Sequence, residues 1–209
     1  MKTTVSLLTA ALLITGASSA FAASTDLTVK GLITPSACTP NLANGGVVDY
    51  AKISASDLNQ ITDTPIGTQT LQVTVNCDAS ALFAISAIDN RIGTASTAAN
   101  VYFGLGLINE TEKLGGYSLR FQDPIAESPV NTLHSQDDGA TWSRSKAGLF
   151  APGYWMGFGS ETAGGWAPDA LQNLTANLVV DAFIARTDSL TLTDEVKLDG
   201  SVTLQIEYL

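Results

Sequence analysis

Nine residues, Ser201 to Leu209, limit what this chain can fold into more than any other stretch. Val202, Leu204, Ile206 and Tyr208 alternate with Ser201, Thr203, Gln205 and Glu207, so a strand here turns one apolar face inward and one polar face outward. On the reading that the chain ends at Leu209, no later segment pairs with that strand. If it sits at a sheet edge, its free N–H and C=O groups call for a cover from elsewhere. Upstream, Asn177 to Thr187 places Leu178, Val180, Ala182 and Ile184 on one face. The two runs are expected as neighbouring antiparallel strands, joined by a linker, Asp188 to Gly200, longer than a tight hairpin needs.

The first residues read as a targeting segment. Lys2 gives a positive start, Val5 to Ile14 is mostly apolar, and Ala20-Phe21-Ala22 is a small-x-small site, so cleavage is expected between Ala22 and Ala23. The apolar run is too short to span a bilayer as a stable helix, and no other stretch reaches that length. Residues 1–22 are thus assigned to a signal peptide and 23–209 to one β domain. With 20 acidic against 10 basic residues, the latter scattered singly, a nucleic acid or an anionic membrane is not expected as partner. Two cysteines sent to an oxidising compartment suit a Cys38–Cys77 bridge. Two Cys and one His at these spacings do not supply a metal site, and no cofactor is expected.

Taken in order, Leu27 to Thr34 reads as a first strand ended by Pro35, followed by Cys38 between Pro35 and Pro40. Asn41 to Gly46 carries turn chemistry, Val47 to Ile53 reads as a strand, and Ser54 or Ser56 can cap a short helical turn within Ser54 to Ile61. Thr68 to Cys77 puts Leu71, Val73, Val75 and Cys77 on one face, aiming the Cys77 sulfur at the core. Ala81 to Ile88 is apolar on both faces and suits a central strand. Asp89 to Asn100 reads as a loop. Val101 to Ile108 and Gly116 to Gln122 read as strands, the second with Tyr117, Leu119 and Phe121 together. Residues 123–170 are loop-rich and hold Trp142, Trp155 and Trp166 with Phe150, Tyr154 and Phe158.

A short strand with a Gly, Leu27-Thr28-Val29-Lys30-Gly31-Leu32-Ile33, then Cys38, then Cys77 closing a second strand, and a final alternating strand with Tyr208 next to last, resemble a subunit of the chaperone-usher fimbriae, in a divergent branch. The resemblance covers both ends of the chain. It implies an all-β, immunoglobulin-like sandwich that is incomplete, here with an enlarged loop-rich middle. It also implies that the missing strand comes from a periplasmic chaperone and then from a neighbouring subunit, with Val202, Leu204, Ile206 and Tyr208 as the pairing strand. The expected role is a structural or adhesive fimbrial-like subunit, exported to the periplasm and then the cell surface. With only Ala23 to Asp26 ahead of the first strand, the chain is expected to accept a strand without donating one, as at a fibre tip. The competing reading is a self-complete secreted β-sandwich that binds carbohydrate or another ligand.

Enzyme chemistry finds little footing. Ser135-Gln136-Asp137-Asp138-Gly139-Ala140-Thr141-Trp142 resembles the Asp box of sialidases, but one copy in a chain too short for a propeller points to a hairpin in which Asp accepts backbone N–H bonds and Gly takes positive φ. The same carboxylates suit calcium, yet Ala140 to Lys146 lacks further acidic ligands. His134, the one histidine, has neither a free Cys nor a G-x-S-x-G serine to activate. Ser143-Arg144-Ser145-Lys146 matches S-x-x-K without its companion elements. On exposed loops Trp142, Tyr154, Trp155 and Trp166 suit stacking on a host or surface glycan; buried, they fill core.

Overall fold

The computed structural model describes residues 27–30 and 37–209. The chain divides into two compact units, Met1–Ile33 and Thr34–Leu209. In the first, Leu27–Lys30 carries no regular secondary structure, and Leu27 and Val29 are exposed. The strand expected over Leu27 to Thr34 is therefore not formed across its described part. A strand needs a neighbour to take its backbone hydrogen bonds, and Leu27–Lys30 carries no ladder. Residues 31–34 lie outside the described residues, as do the signal segment and the Ala22–Ala23 cleavage site.

The second unit contains every described strand. In chain order these are β1 (Cys38–Leu42), β2 (Thr64–Ala81), β3 (Phe83–Asp89), β4 (Phe103–Gly104), β5 (Leu107–Ile108), β6 (Glu112–Lys113) and β7 (Gly115–Ala126). There follow β8 (Asn131–Ser135), β9 (Ser143–Arg144), β10 (Leu149–Phe150), β11 (Trp155–Thr162), β12 (Gly165–Pro168), β13 (Leu171–Ile184) and β14 (Val202–Tyr208). One sheet runs β1-β2-β13-β7-β10 with β4 on β7; the other runs β14-β3-β11-β8-β9 with β12 on β11; β5 and β6 form a small ribbon. All these ladders are antiparallel. Among the described residues, no helix is long and apolar enough to cross a membrane.

Period-two alternation builds one core between the sheets. Leu71, Val73, Val75 and Cys77 of β2, Tyr117, Leu119 and Phe121 of β7, and Leu178, Val180, Ala182 and Ile184 of β13 are all buried. From the other sheet, Phe83, Ile85 and Ala87 of β3 and Met156 and Phe158 of β11 join the same cluster. Phe121 couples the layers, stacked on Phe150 at 5.3 Å and edge-on to Phe158 at 5.4 Å.

Several local expectations hold. β3 lies between β14 and β11, as its two apolar faces require. Asn44, Gly45 and Gly46 take positive φ in the turn after β1, and Ser54 Oγ accepts the Ser56 N–H at 3.3 Å to cap a single 3-10 turn, Ala55–Asp57. Others are corrected. β13 and β14 are not neighbours, because residues 185–201 carry the chain from one sheet to the other. Val47 to Ile53 forms no strand: Val48 and Tyr50 pack on the core, but no ladder receives the backbone, and Ala51 at φ 55° ends the extended run. Val101 to Ile108 splits into β4 and β5 at Gly106, whose φ of 89° suits glycine.

Cys38 and Cys77 are bonded and stand opposite each other in the β1–β2 ladder, so the bridge ties an edge strand to its own sheet. Such a bond fits an oxidising, exported compartment. With a sequence separation of 39, the closed loop is worth about 4 kcal/mol in the chain-entropy account. Urea unfolding with and without reductant is expected to differ by about that amount; a difference below about 1 kcal/mol would mean that the denatured chain is already compact without the bond.

Candidate functional site

The residues of β14 do two jobs at once. On the β3 side, Ser201 C=O accepts the Asn90 N–H at 3.0 Å and Leu209 N–H donates to the Leu82 C=O at 3.1 Å. Antiparallel ladders alternate, so the odd-numbered residues turn their backbone to β3. Val202, Leu204, Ile206 and Tyr208 turn theirs the other way, where, among the described residues, β14 ends the sheet. The same four residues point their side chains at the core. Val202, Leu204 and Ile206 are only half-buried and Tyr208 is 45% exposed, whereas the inward residues of β2 are 6% exposed or less.

The polar face of β14 is well anchored. Ser86 Oγ donates to Glu207 Oε1 at 2.7 Å, and Asn90 Nδ2 reaches the hydroxyls of Ser201 and Thr203 at 3.0 Å each. At its far end, Tyr208 Oη accepts the Cys38 N–H at 2.7 Å, joining β14 to the disulfide-bearing edge of the opposite sheet.

Beneath the other half of β14 lies a cavity of about 530 Å³, lined by Val202, Leu204, Leu119, Val180, Tyr50 and Val196 among others. Tyr50 Oη donates to the Val180 C=O at 2.9 Å; burial first, and then the Asp181 charge, push its phenol up to about 12. The crossing segment that brings Val196 here is pinned at both ends. Arg91 forks onto Asp199 at 2.8 and 2.9 Å, and Glu112 accepts the Thr191 N–H at 2.6 Å and its hydroxyl at 2.9 Å. The Thr191 backbone and hydroxyl bonds hold the Glu112 carboxyl below its usual range, as the Arg91 bonds hold Asp199. Gly200, the last residue before β14 and its flanking Ser201, lets the chain pass where a Cβ would lie 2.9 Å from Leu105 and Tyr117.

The aromatic set divides. Trp155 and Gly157 alternate along β11 with the core residues Met156 and Phe158, so they lie on the outer face of that sheet. There the Trp142 ring covers Gly157 so closely that a Cβ would come within 2.7 Å of it. Trp155 lies against Gly139, and Arg144 sits over the Trp166 ring at 5.5 Å. Leu133, opposite Gly157 in the ladder, is fully buried. The three tryptophans are half-buried over their own chain. Tyr154 packs instead with the core and stacks on His134 at 5.6 Å. The four residues therefore do not form one surface.

Between β8 and β9 the chain turns as its motif predicts. Asp137 accepts the Ser135 hydroxyl at 2.6 Å and the Thr141 N–H and hydroxyl at 2.9 and 2.6 Å, while Ser135 Oγ accepts the Gly139 N–H at 2.9 Å. Asp138 and Gly139 take φ of 53° and 86°. The ring that packs against Gly139 is that of Trp155, while Trp142, which closes the motif in sequence, lies over Gly157.

Residues that local reading did not single out for the groove are Tyr50 and Val196. The Val48-Asp49-Tyr50 alternation was the available signal, and it marks side chains that face the core without marking a strand.

In comparison with known proteins, residues 27–102 match a family described as "Protein of unknown function (DUF1120)". The chain is also similar to Protein GltF of Escherichia coli (strain K12), 29% identical over 224 residues and 88% of each chain. Its similarity to the uncharacterized protein YhcF of the same organism is 25% over 213 residues, covering 87% of this chain and 89% of YhcF.

The Ser135 and Thr141 bonds lower the Asp137 carboxyl to about 2 from an ordinary 3.8. Because the folded value is the lower one, the turn gains stability from the carboxylate above the ordinary value and loses it as pH falls toward 2. NMR titration is expected to place Asp137 near that value, and Asp137→Asn to remove the corresponding acid-dependent step in stability. A normal Asp137 titration would mean that the three bonds do not persist in solution.

Proposed function

We propose that this protein is a strand-accepting subunit: an incomplete immunoglobulin-like sandwich whose groove beside β14 is filled by an extended segment of another polypeptide. The carrying observation is the coincidence on Val202, Leu204, Ile206 and Tyr208 of backbone groups that no other described strand takes and apolar side chains that are only partly covered. β-augmentation uses both features at once, main-chain bonds for affinity and alternate side chains for fit. The resemblance to chaperone-usher subunits supplies the biological setting. A periplasmic chaperone guards the groove, and a neighbouring subunit then takes its place in a fimbrial-like fibre. The disulfide suits that compartment.

Two substitutions and a partner test this reading. Leu204→Glu places a charge in the apolar row, and Tyr208→Ser removes both a ring and the bond to Cys38. When the chain is produced in a periplasm, either change is expected to abolish accumulation, and wild-type yield is expected to depend on a co-expressed chaperone. A stable, cooperative monomer obtained without any partner, with both variants accumulating like wild type, would sink the proposal and favour a self-complete binding domain.

A further inference from the structure

We infer that the groove selects its incoming strand by size beside Leu204, and that Tyr50 sets that size; this rests on the strand-accepting reading above. The groove is not uniform along its length. At the Tyr208 end the phenol hydroxyl accepts the Cys38 N–H and ties β14 to β1. At the other end, Val202 and Leu204 border the cavity of about 530 Å³, and Ile206 and Tyr208 do not. There the groove has room for a large side chain.

The backbone dictates how that room is reached. The N–H and C=O of Leu204 face the free side, so a segment paired with it extends alongside and sends every second side chain to the core face. A free apolar molecule filling the same cavity leaves those polar groups unmet. The occupant that answers both demands is an extended peptide with alternating apolar residues and one bulky side chain at the cavity.

The cavity walls differ in kind. Leu119, Leu178 and Val180 stand on ladders fixed on both sides. Tyr50 stands on a segment without a ladder, held by its hydroxyl bond to the Val180 C=O. Its ring is therefore the wall whose volume changes without disturbing a sheet. Val196, on the crossing segment, is another such wall.

The test uses the full chain, unfolded out of its complex with the co-expressed chaperone and refolded with fluorescently labelled synthetic nonapeptides that carry Thr at alternate positions and Leu between, the central apolar position being Phe or Ala. A scrambled peptide of the same composition serves as control. Wild type and Tyr50→Phe are expected to bind the Phe peptide roughly tenfold tighter than the Ala peptide, as burial of a large side chain requires. Tyr50→Trp, which fills the cavity, is expected to cut that advantage to about twofold. Val196→Phe narrows the space from the opposite wall and serves if the Trp variant does not fold. An unchanged Phe advantage in every folded variant overturns the size-selecting wall while leaving strand acceptance standing. Failure of all patterned peptides to bind, or equal binding of the scrambled peptide, overturns strand acceptance itself.

Discussion

A backbone hydrogen bond left unmade is the constraint on which this architecture turns. β13, flanked by β2 and β7 over nearly its whole length, has both rows of polar groups taken. Among the described residues, β14 meets that demand on one side only. Its apolar face meets a similar half-measure, because the core it covers ends at a cavity instead of at another wall of side chains. The polar and apolar deficits fall on the same residues because a strand's free backbone groups and its inward side chains share one parity in this pairing. A single added strand answers both.

The surroundings of β14 are correspondingly firm. Its polar face is stitched to β3 by Ser86 and Asn90, its end is linked through Tyr208 to β1, and β1 is bonded covalently to β2. The approach to it is fixed by Arg91–Asp199 and by Glu112 on Thr191. These bonds are largely solvent-exposed charge pairs or neutral contacts, each modest alone. Together they hold an open groove in shape, and a preformed groove costs an incoming strand less to order than one that must first be built.

Local alternation made the strands legible and their partners illegible. β14, the inward face of β2, and Tyr117, Leu119 and Phe121 of β7 could be read because a period of two needs only a few adjacent residues. The Asp137 turn could be read because its donors and acceptor lie within seven residues. Pairing is a different matter: nothing in Asn177 to Thr187 or in Ser201 to Leu209 says that the segment between them crosses to another sheet. Val47 to Ile53 shows the converse, since Val48 and Tyr50 alternate inward while the backbone between them finds no ladder. The aromatic residues were misgrouped for a parity reason. Tyr154 and Trp155 are adjacent in sequence and so face opposite ways, one to the core and one to Gly139.

The other edges of the two sheets explain why β14 stands apart. An exposed edge invites unwanted pairing, and folded proteins blunt it by brevity, proline or charge. β4, β9 and β10 are two residues long each. β12 ends in Pro168, and β1, five residues long, carries Pro40, which has no N–H to offer. β14 has seven residues, no proline, and one charge, Glu207, which is held by Ser86 on the face away from the core. The devices that protect β1, β4, β9, β10 and β12 are absent from β14. A regular, apolar edge of this length is what the strand-accepting reading proposed above calls for.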